Sequence, residues 1–373
     1  NIWYSNSDGL FKKDLSTSKI TRPLSGTSFS KYTVISLYTD SKGYVWAGLY
    51  GEGALRINEK TGHIKHIYRE IRNGNVLSIT GQDSTVWLGT LGGTSRITIS
   101  DSDELSVTNF STNDGLISDF IYQVFLENNR VWFATDGKGV AMMNRDGFHN
   151  YVKGLPSQVV YSLALDGAGK LWVNVQGNGL YIFDGLKFRV CDSTLVLRDN
   201  NIHSLAADKA GNIVVMHDAG MDVIDIRKNK VIYLGEQMGI RDKIGNLNAV
   251  GRDTQGDIYF GTTGGIIKYN SDQGYVTNQP KPLIKDVSLF DTPIQGVDLS
   301  KLSYDENNIT LHYLGLWYQN PDGLFYSYKL ENYDRDWIIT KNQSVTYSRL
   351  PPGAYTFKVK TSESQDFKHG QET

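Results

Sequence analysis

The sequence predicts an all-β chain: seven consecutive four-stranded sheets arranged as a ring, then a small β-sandwich. Three observations predict it. A short phrase built on Val/Leu-Trp and a glycine turn returns at spacings of 40 to 45 residues. Each return is flanked by short alternating runs rich in β-formers. Past residue 279 the phrase stops while the alternating runs continue.

The phrase reads GYVWAGLYGEGALRIN at 43 to 58, STVWLGTLGGTSRIT at 84 to 98, NRVWFATDGKGVAMMN at 129 to 144 and GKLWVNVQGNGLYIFDG at 169 to 185. Aligned, one position falls at Trp3, Trp46, Trp87, Trp132, Trp172, Val214 and Tyr259. Such a period belongs either to helical solenoids or to rings of sheets, and the absence of sustained 3.6-residue periodicity selects the sheets. In the copy around Trp172, VVYSLALD (159–166) is the first strand and Asp166 to Gly169 a tight turn. LWVNV is the second strand, Gly177 and Gly179 turn the chain into LYIFD, and the outer strand lies around LKFRV. Neighbouring residues of a strand face opposite ways, so Leu171 and Val173 meet one adjoining sheet while Trp172 and Asn174 meet the other. A large aromatic at that register fills the wedge between sheets. Residues 1–279 are therefore expected to be a seven-bladed β-propeller. Its first blade lacks the inner strand that the next copy shows as VISLYTD (34–40), and the chain is expected to be a piece of a longer protein.

Pro280 and Pro282 mark a stiff connector, and residues 280–373 read as an immunoglobulin/fibronectin-like sandwich that is incomplete at its C-terminal end. Leu350-Pro-Pro-Gly-Ala-Tyr355 resembles a sandwich corner in which the tyrosine hydroxyl bonds back to upstream backbone, and Trp337 is the expected core plug.

Composition removes several function classes. The formal charge of −2, without a run of five like charges, argues against nucleic acid or an anionic membrane surface as partner. No apolar stretch approaches the roughly 18–20 residues a membrane helix needs, so a membrane is met only through segments outside this chain. The single cysteine, Cys191, excludes an internal disulfide and is expected to be a small buried apolar residue. The Asp-x-x-Gly turns at 40, 166, 208 and 253 offer one carboxylate each, too few for calcium, and suit type I turns. His63 and His66 stand at an odd offset and are expected on opposite strand faces, as ordinary surface histidines. No metal or cofactor site is expected.

The repeated pattern, followed by Tyr326, Tyr328, Tyr333, Asp336-Trp337 and the Leu-Pro-Pro-Gly-x-Tyr corner, resembles the periplasmic sensor region of Bacteroidetes hybrid two-component system regulators. In these, two-component-regulator propeller repeats precede a sandwich named for three tyrosines. The resemblance implies a periplasmic oligosaccharide receptor, tethered to the inner membrane in the full-length protein. It also implies a homodimer through the sandwich and a histidine kinase outside this chain.

If the inner strands run from top to bottom, the loops before them and those between second and third strands share the top rim. These loops carry Tyr50, Glu52, Arg72, Asp136, Lys138, Gln176, Asn178, His217 and Lys243, the expected ligand contacts. Aromatic, amide and charged groups together suit a sugar, with the cations also suiting carboxylate or sulfate. No catalytic residue is expected. The alternatives are a propeller glycoside hydrolase or polysaccharide lyase, for which Glu52 with Asp136 is the rim carboxylate pair to test, and a protein-docking propeller.

Overall fold

The computed structural model describes residues 1–191, 195–235, 240, 243–271, 281–290, 292–294, 302–317, 323–362, 367 and 371–372. The chain divides into two compact units, Asn1–Gln273 and Gly274–Thr373.

Among the described residues, seven antiparallel sheets follow one another along the first unit. The second is typical: strands Val34–Thr39, Tyr44–Leu49, Ala54–Asn58 and Ile64–Ile67 form a meander, each pairing with the next. Among the described residues the first sheet has three strands, Ile2–Asn6, Gly9–Lys13 and Ile20–Thr21. In the seventh, Gly245–Arg252, Ile258–Thr262 and Gly265–Tyr269 are described. The leading strands of the second to seventh sheets pack in succession, so they form the inner wall. This is the propeller arrangement.

The recurring aromatic explains how the sheets hold together. Trp46 is fully buried against Val76, Ile79, Val86 and Leu88 of the third sheet, and Trp87 packs on Ile121, Val124 and Phe133 of the fourth. Trp132 meets Val160, Leu163 and Val173 of the fifth sheet, and Trp172 meets Ile202, Leu205 and Val215 of the sixth. Leu171 and Val173 face back toward Trp132, as strand alternation requires. Trp3 joins the cluster of Val45, Ala47 and Leu49. Val214 is fully buried and Tyr259 half-buried, so the register persists where the indole does not. Cys191 lies among apolar side chains between the fifth and sixth sheets, as expected.

A buried indole N–H needs an acceptor, and the turn before it supplies one. Trp46 Nε1 donates to Asp40 Oδ2 at 3.0 Å and Trp172 Nε1 to Asp166 Oδ2 at 2.8 Å. The other oxygen of Asp166 accepts the backbone N–H of Ala168 and Lys170, both at 2.9 Å. Gly169, at φ +78°, closes the same turn by donating to the Asp166 carbonyl at 3.0 Å. The Asp-x-x-Gly turns are thus structural, as expected, and their carboxylates are saturated by the fold.

A second bolt joins the second and third sheets. Arg56, 2% exposed, forks onto Asp103 with bonds of 2.6 and 2.9 Å while its guanidinium covers the Tyr44 ring at 3.6 Å. Hydrogen bonding from Arg56 holds the Asp103 carboxyl below the usual carboxylate range, with a further bond from Tyr44. Asp103→Ala, which strands the buried guanidinium, is expected to cost about 1–3 kcal/mol at neutral pH in urea unfolding. Because the folded-state pKa is depressed, this stabilisation is complete above about pH 4 and fades as pH falls further. The wild-type and variant unfolding midpoints should therefore converge in acid.

The second unit places Thr292–Pro293, Lys281–Leu289, Ile309–Leu316 and Ser344–Tyr347 in one sheet. Ile338–Thr340, Phe325–Glu331, Thr356–Ser362 and Gln371–Glu372 form the other. Tyr313, Leu324, Tyr326 and Val359 fill the core between them. Tyr355 donates its hydroxyl to the Pro351 carbonyl at 2.8 Å, making the corner expected at Leu350–Tyr355. Trp337 departs from expectation. It is half-buried beneath the Lys360 ammonium, 4.0 Å from its ring, because Tyr313 and Tyr326 already occupy the core.

Candidate functional site

The two sets of loops expected to share a rim are tied together by backbone hydrogen bonds. Between the second and third sheets, Gly53 N–H donates to the Gly74 carbonyl at 2.8 Å, and Gly93 N–H does the same to Asp119 at 2.7 Å across the next junction. Gly139 N–H reaches the Gln158 carbonyl at 2.7 Å. Within one sheet, Tyr50, Asp136 and Gln176 each donate their N–H to the residue run just before that sheet's own inner strand. The loops of the second to fifth sheets therefore form one continuous edge.

Of the expected contacts, Tyr50 (64% exposed), Arg72, Lys138, Gln176 and Asn178 stand exposed on this edge, with Glu52, Asp136 and Lys243 half-exposed. Lys243 lies over Gly264, and Arg72 over Gly93. Glu52 and Asp136 sit on loops of different sheets, the second and the fourth.

His217 has to be corrected. It ends the strand Ile213–His217 and pairs with Gly220, so the exposed turn begins one residue later. Its ring is fully buried, stacked on Tyr233 with centroids 6.2 Å apart, with Nε2 3.1 Å from Asp222 Oδ2. The exposed group on that loop is its neighbour Asp218. His66 is also no ordinary surface histidine: it is half-buried, stacked on Tyr68 at 5.8 Å, with Nε2 2.7 Å from the Glu52 carbonyl oxygen.

Residues beyond those expected surround the axis at this edge. Each inner strand of the second to sixth sheets skips one residue in its pairing, a β-bulge, at Ile35, Leu77, Tyr122, Tyr161 and His203 in turn. At four of the five, the residue after the bulge bonds toward a neighbouring sheet. Ser36 Oγ donates to the Val76 carbonyl at 2.7 Å, Val124 N–H to Ser78 Oγ at 3.0 Å, and Leu163 N–H to Gln123 Oε1 at 2.5 Å. Ser204 Oγ donates to the Asn246 carbonyl at 3.1 Å.

The bulged residues themselves are half-buried. Tyr122 and Tyr161 meet edge to face, centroids 4.9 Å apart. From the seventh sheet, Asn248, at φ +54°, reaches across and donates Nδ2 to the Tyr161 carbonyl at 2.8 Å and, more weakly, to Tyr122 at 3.4 Å. It ties the backbone of the two bulged tyrosines to the seventh sheet. His203 Nε2 lies 2.6 Å from Asp218 Oδ1, whose other oxygen accepts Asn201 Nδ2. The His203 bond holds Asp218 below the ordinary carboxylate range, while burial, reinforced by the Asp136 carboxylate, pushes the Tyr122 hydroxyl up. A bulge adds one residue to strict alternation, so these positions look like ordinary strand residues in the sequence.

A cleft of about 550 Å³ lies at the opposite edge, between the fourth and fifth sheets, lined by Glu127, Arg130, Lys170, Asp184 and Arg189 among others. Its charges are largely mutual: Arg130 bonds Glu127 at 2.7 Å and Arg189 bonds Asp184 at 2.5 Å. Among the described residues no group of three or more His, Cys, Asp or Glu side chains could hold a metal, and no helix is long and apolar enough to cross a membrane.

Residues 318–366 match the Y_Y_Y domain family. A histidine kinase of Formosa agariphila is 20% identical over 368 residues, covering 92% of this chain and 24% of that protein. The extracellular domain of a hybrid two-component system from B. thetaiotaomicron superposes with a TM-score of 0.74 at 20% identity, over 99% of this chain and 53% of that one. Virginiamycin B lyase from Staphylococcus aureus follows the chain over 71% of its length, at 17% identity and a TM-score of 0.55. The chain spans about a quarter of the kinase and about half of the hybrid-system domain. The second unit therefore contains a segment that matches the Y_Y_Y domain family, and over nearly its whole length the chain has a fold similar to that of the extracellular domain of a hybrid two-component system.

Proposed function

We propose that this chain is the extracytoplasmic ligand-sensing region of a hybrid two-component receptor, which captures oligosaccharides on the propeller's loop edge and signals to a histidine kinase outside this chain. The observation that carries the reading is the pairing of a propeller with a Y_Y_Y domain, in a fold shared with a hybrid-system extracellular domain. The loop edge supports it chemically. It combines exposed Tyr50 with polar Arg72, Lys138, Gln176 and Asn178, which suits the apolar faces and hydroxyls of a sugar. Signalling needs two states of unequal affinity, since a ligand that binds both alike shifts neither. Two copies meeting through the Y_Y_Y unit would provide such a pair of arrangements in the tethered receptor.

Calorimetric titration of residues 1–373 against an oligosaccharide panel, followed by chromatography of the recovered sugars, tests the proposal. Saturable heat with intact sugars is expected, and Tyr50, Arg72 and Lys138 replaced together by alanine should weaken affinity by at least about tenfold. Shortened or unsaturated products would instead establish the hydrolase or lyase reading.

A further inference from the structure

We infer that the centre of the ligand site is the axial mouth formed by Tyr122, Tyr161, His203 and Asp218, and that it selects an uncharged, hydroxyl-rich ring. This rests on the sensor reading above and narrows it.

Position comes first. The bulges at Tyr122, Tyr161 and His203 lift one residue of each inner strand out of the ladder at the end of the strand next to the loop edge. Bulges commonly re-aim a side chain at functional sites. Asn248 shows where two of these residues lie, because a side chain of the seventh sheet touches carbonyls of the fourth and fifth only by crossing the axis. The tyrosine pair therefore stands at the start of the inner strands, next to the loop edge from which a ligand would enter.

Chemistry follows from the groups present. The two phenol rings stand at 82° to each other, making a corner with one aromatic face and one aromatic edge. The C–H face of a pyranose or furanose fits such a wall. Two carboxylates stand here: Asp136 beside Tyr122, and Asp218, which His203 Nε2 approaches to 2.6 Å and holds below the ordinary carboxylate range. An ionised carboxylate only accepts, so it takes hydroxyl donors. A carboxylate or sulfate on the ligand would sit near two like charges in a partly desolvated mouth. Lys138, exposed on the same loop as Asp136, is placed to meet the ligand farther out.

The test uses residues 1–373 with two probe sets in parallel titrations: uncharged gluco-, manno-, xylo-, galacto- and arabino-oligosaccharides, and uronate- or sulfate-bearing ones. At least one uncharged oligosaccharide should bind and the charged set should not. Tyr161→Ala should weaken that binding at least tenfold, and Asp218→Asn, whose site is partly exposed and so less costly to the fold, at least fivefold. Lys170→Ala, in the cleft at the opposite edge, should stay within twofold. Binding of uncharged sugars that is indifferent to both Tyr161→Ala and Asp218→Asn, in variants melting within a few degrees of wild type, would overturn the mouth while leaving the sensor reading intact. Binding confined to charged oligosaccharides would overturn the selection for uncharged rings alone. Silence from both sets would remove the oligosaccharide reading and this inference with it.

Discussion

Trp132→Ala is expected to lower the unfolding free energy by about 3–5 kcal/mol. The indole is 2% exposed and enclosed by Val160, Leu163, Leu171 and Val173 of the fifth sheet, with Tyr151 and Phe183 rings at 5.8 and 5.7 Å. Truncation opens a cavity at a junction between two sheets, where neither can move inward without losing its contacts on the far side. Collapse is therefore limited, which favours the upper part of the range. The indole also leaves Glu127 without the 2.8 Å bond from Nε1, although Arg130 still satisfies that carboxylate. Urea unfolding followed by circular dichroism measures the loss. Trp132→Phe should recover roughly half, since it restores most of the volume but not the bond.

Asp166→Ala should cost about 2–4 kcal/mol, more than loss of one hydrogen bond. This carboxylate, 6% exposed, receives three donors: the Ala168 and Lys170 N–H groups and the Trp172 indole. Removing it leaves the indole N–H buried without a partner and loosens the turn that joins the inner and second strands. Asp166→Asn isolates the components. Its remaining carbonyl oxygen can serve the turn, while its amide cannot accept from Trp172, so an intermediate loss is expected. The two variants can be compared by thermal unfolding at a common pH.

Much of this architecture was legible because β-structure writes itself with period two. An apolar side chain at Trp46, Trp87, Trp132 and Trp172 marks one face of each second strand, and the packing on the following sheet agrees at all four. The role of Asp166 was only half legible. Its turn could be read from the glycine three residues on, but its bond to Trp172 depends on the hairpin bringing residues six apart side by side. That pairing recurs at Asp40 with Trp46 and Asp253 with Tyr259, where the hydroxyl donates at 3.2 Å, so the spacing was the available signal. Where Val214 replaces the aromatic, Asp208 instead accepts Asn212 Nδ2 and the Tyr269 hydroxyl.

The loop edge was legible as a set of loops, and His217 failed because a loop boundary cannot be placed to one residue by pattern alone. One step of register separates buried His217 from exposed Asp218. Tyr122 and Tyr161 were not legible for a related reason: a bulge shifts the alternation by one residue, and a shift of one inside a short strand cannot be told from an ordinary strand residue by pattern. Tyr313 and Tyr326, not Trp337, fill the core of the second unit because core occupancy depends on which strand lies opposite, and composition says nothing about that.

The most direct test of a ligand site on the loop edge is hydrogen–deuterium exchange of residues 1–373, with and without a saturating oligosaccharide found by titration. Slower exchange is predicted at 120–123, 159–162 and 201–204, the bulged starts of three inner strands, and at the loop around Asp136. Protection confined to 184–190, at the cleft on the opposite edge, would contradict the account.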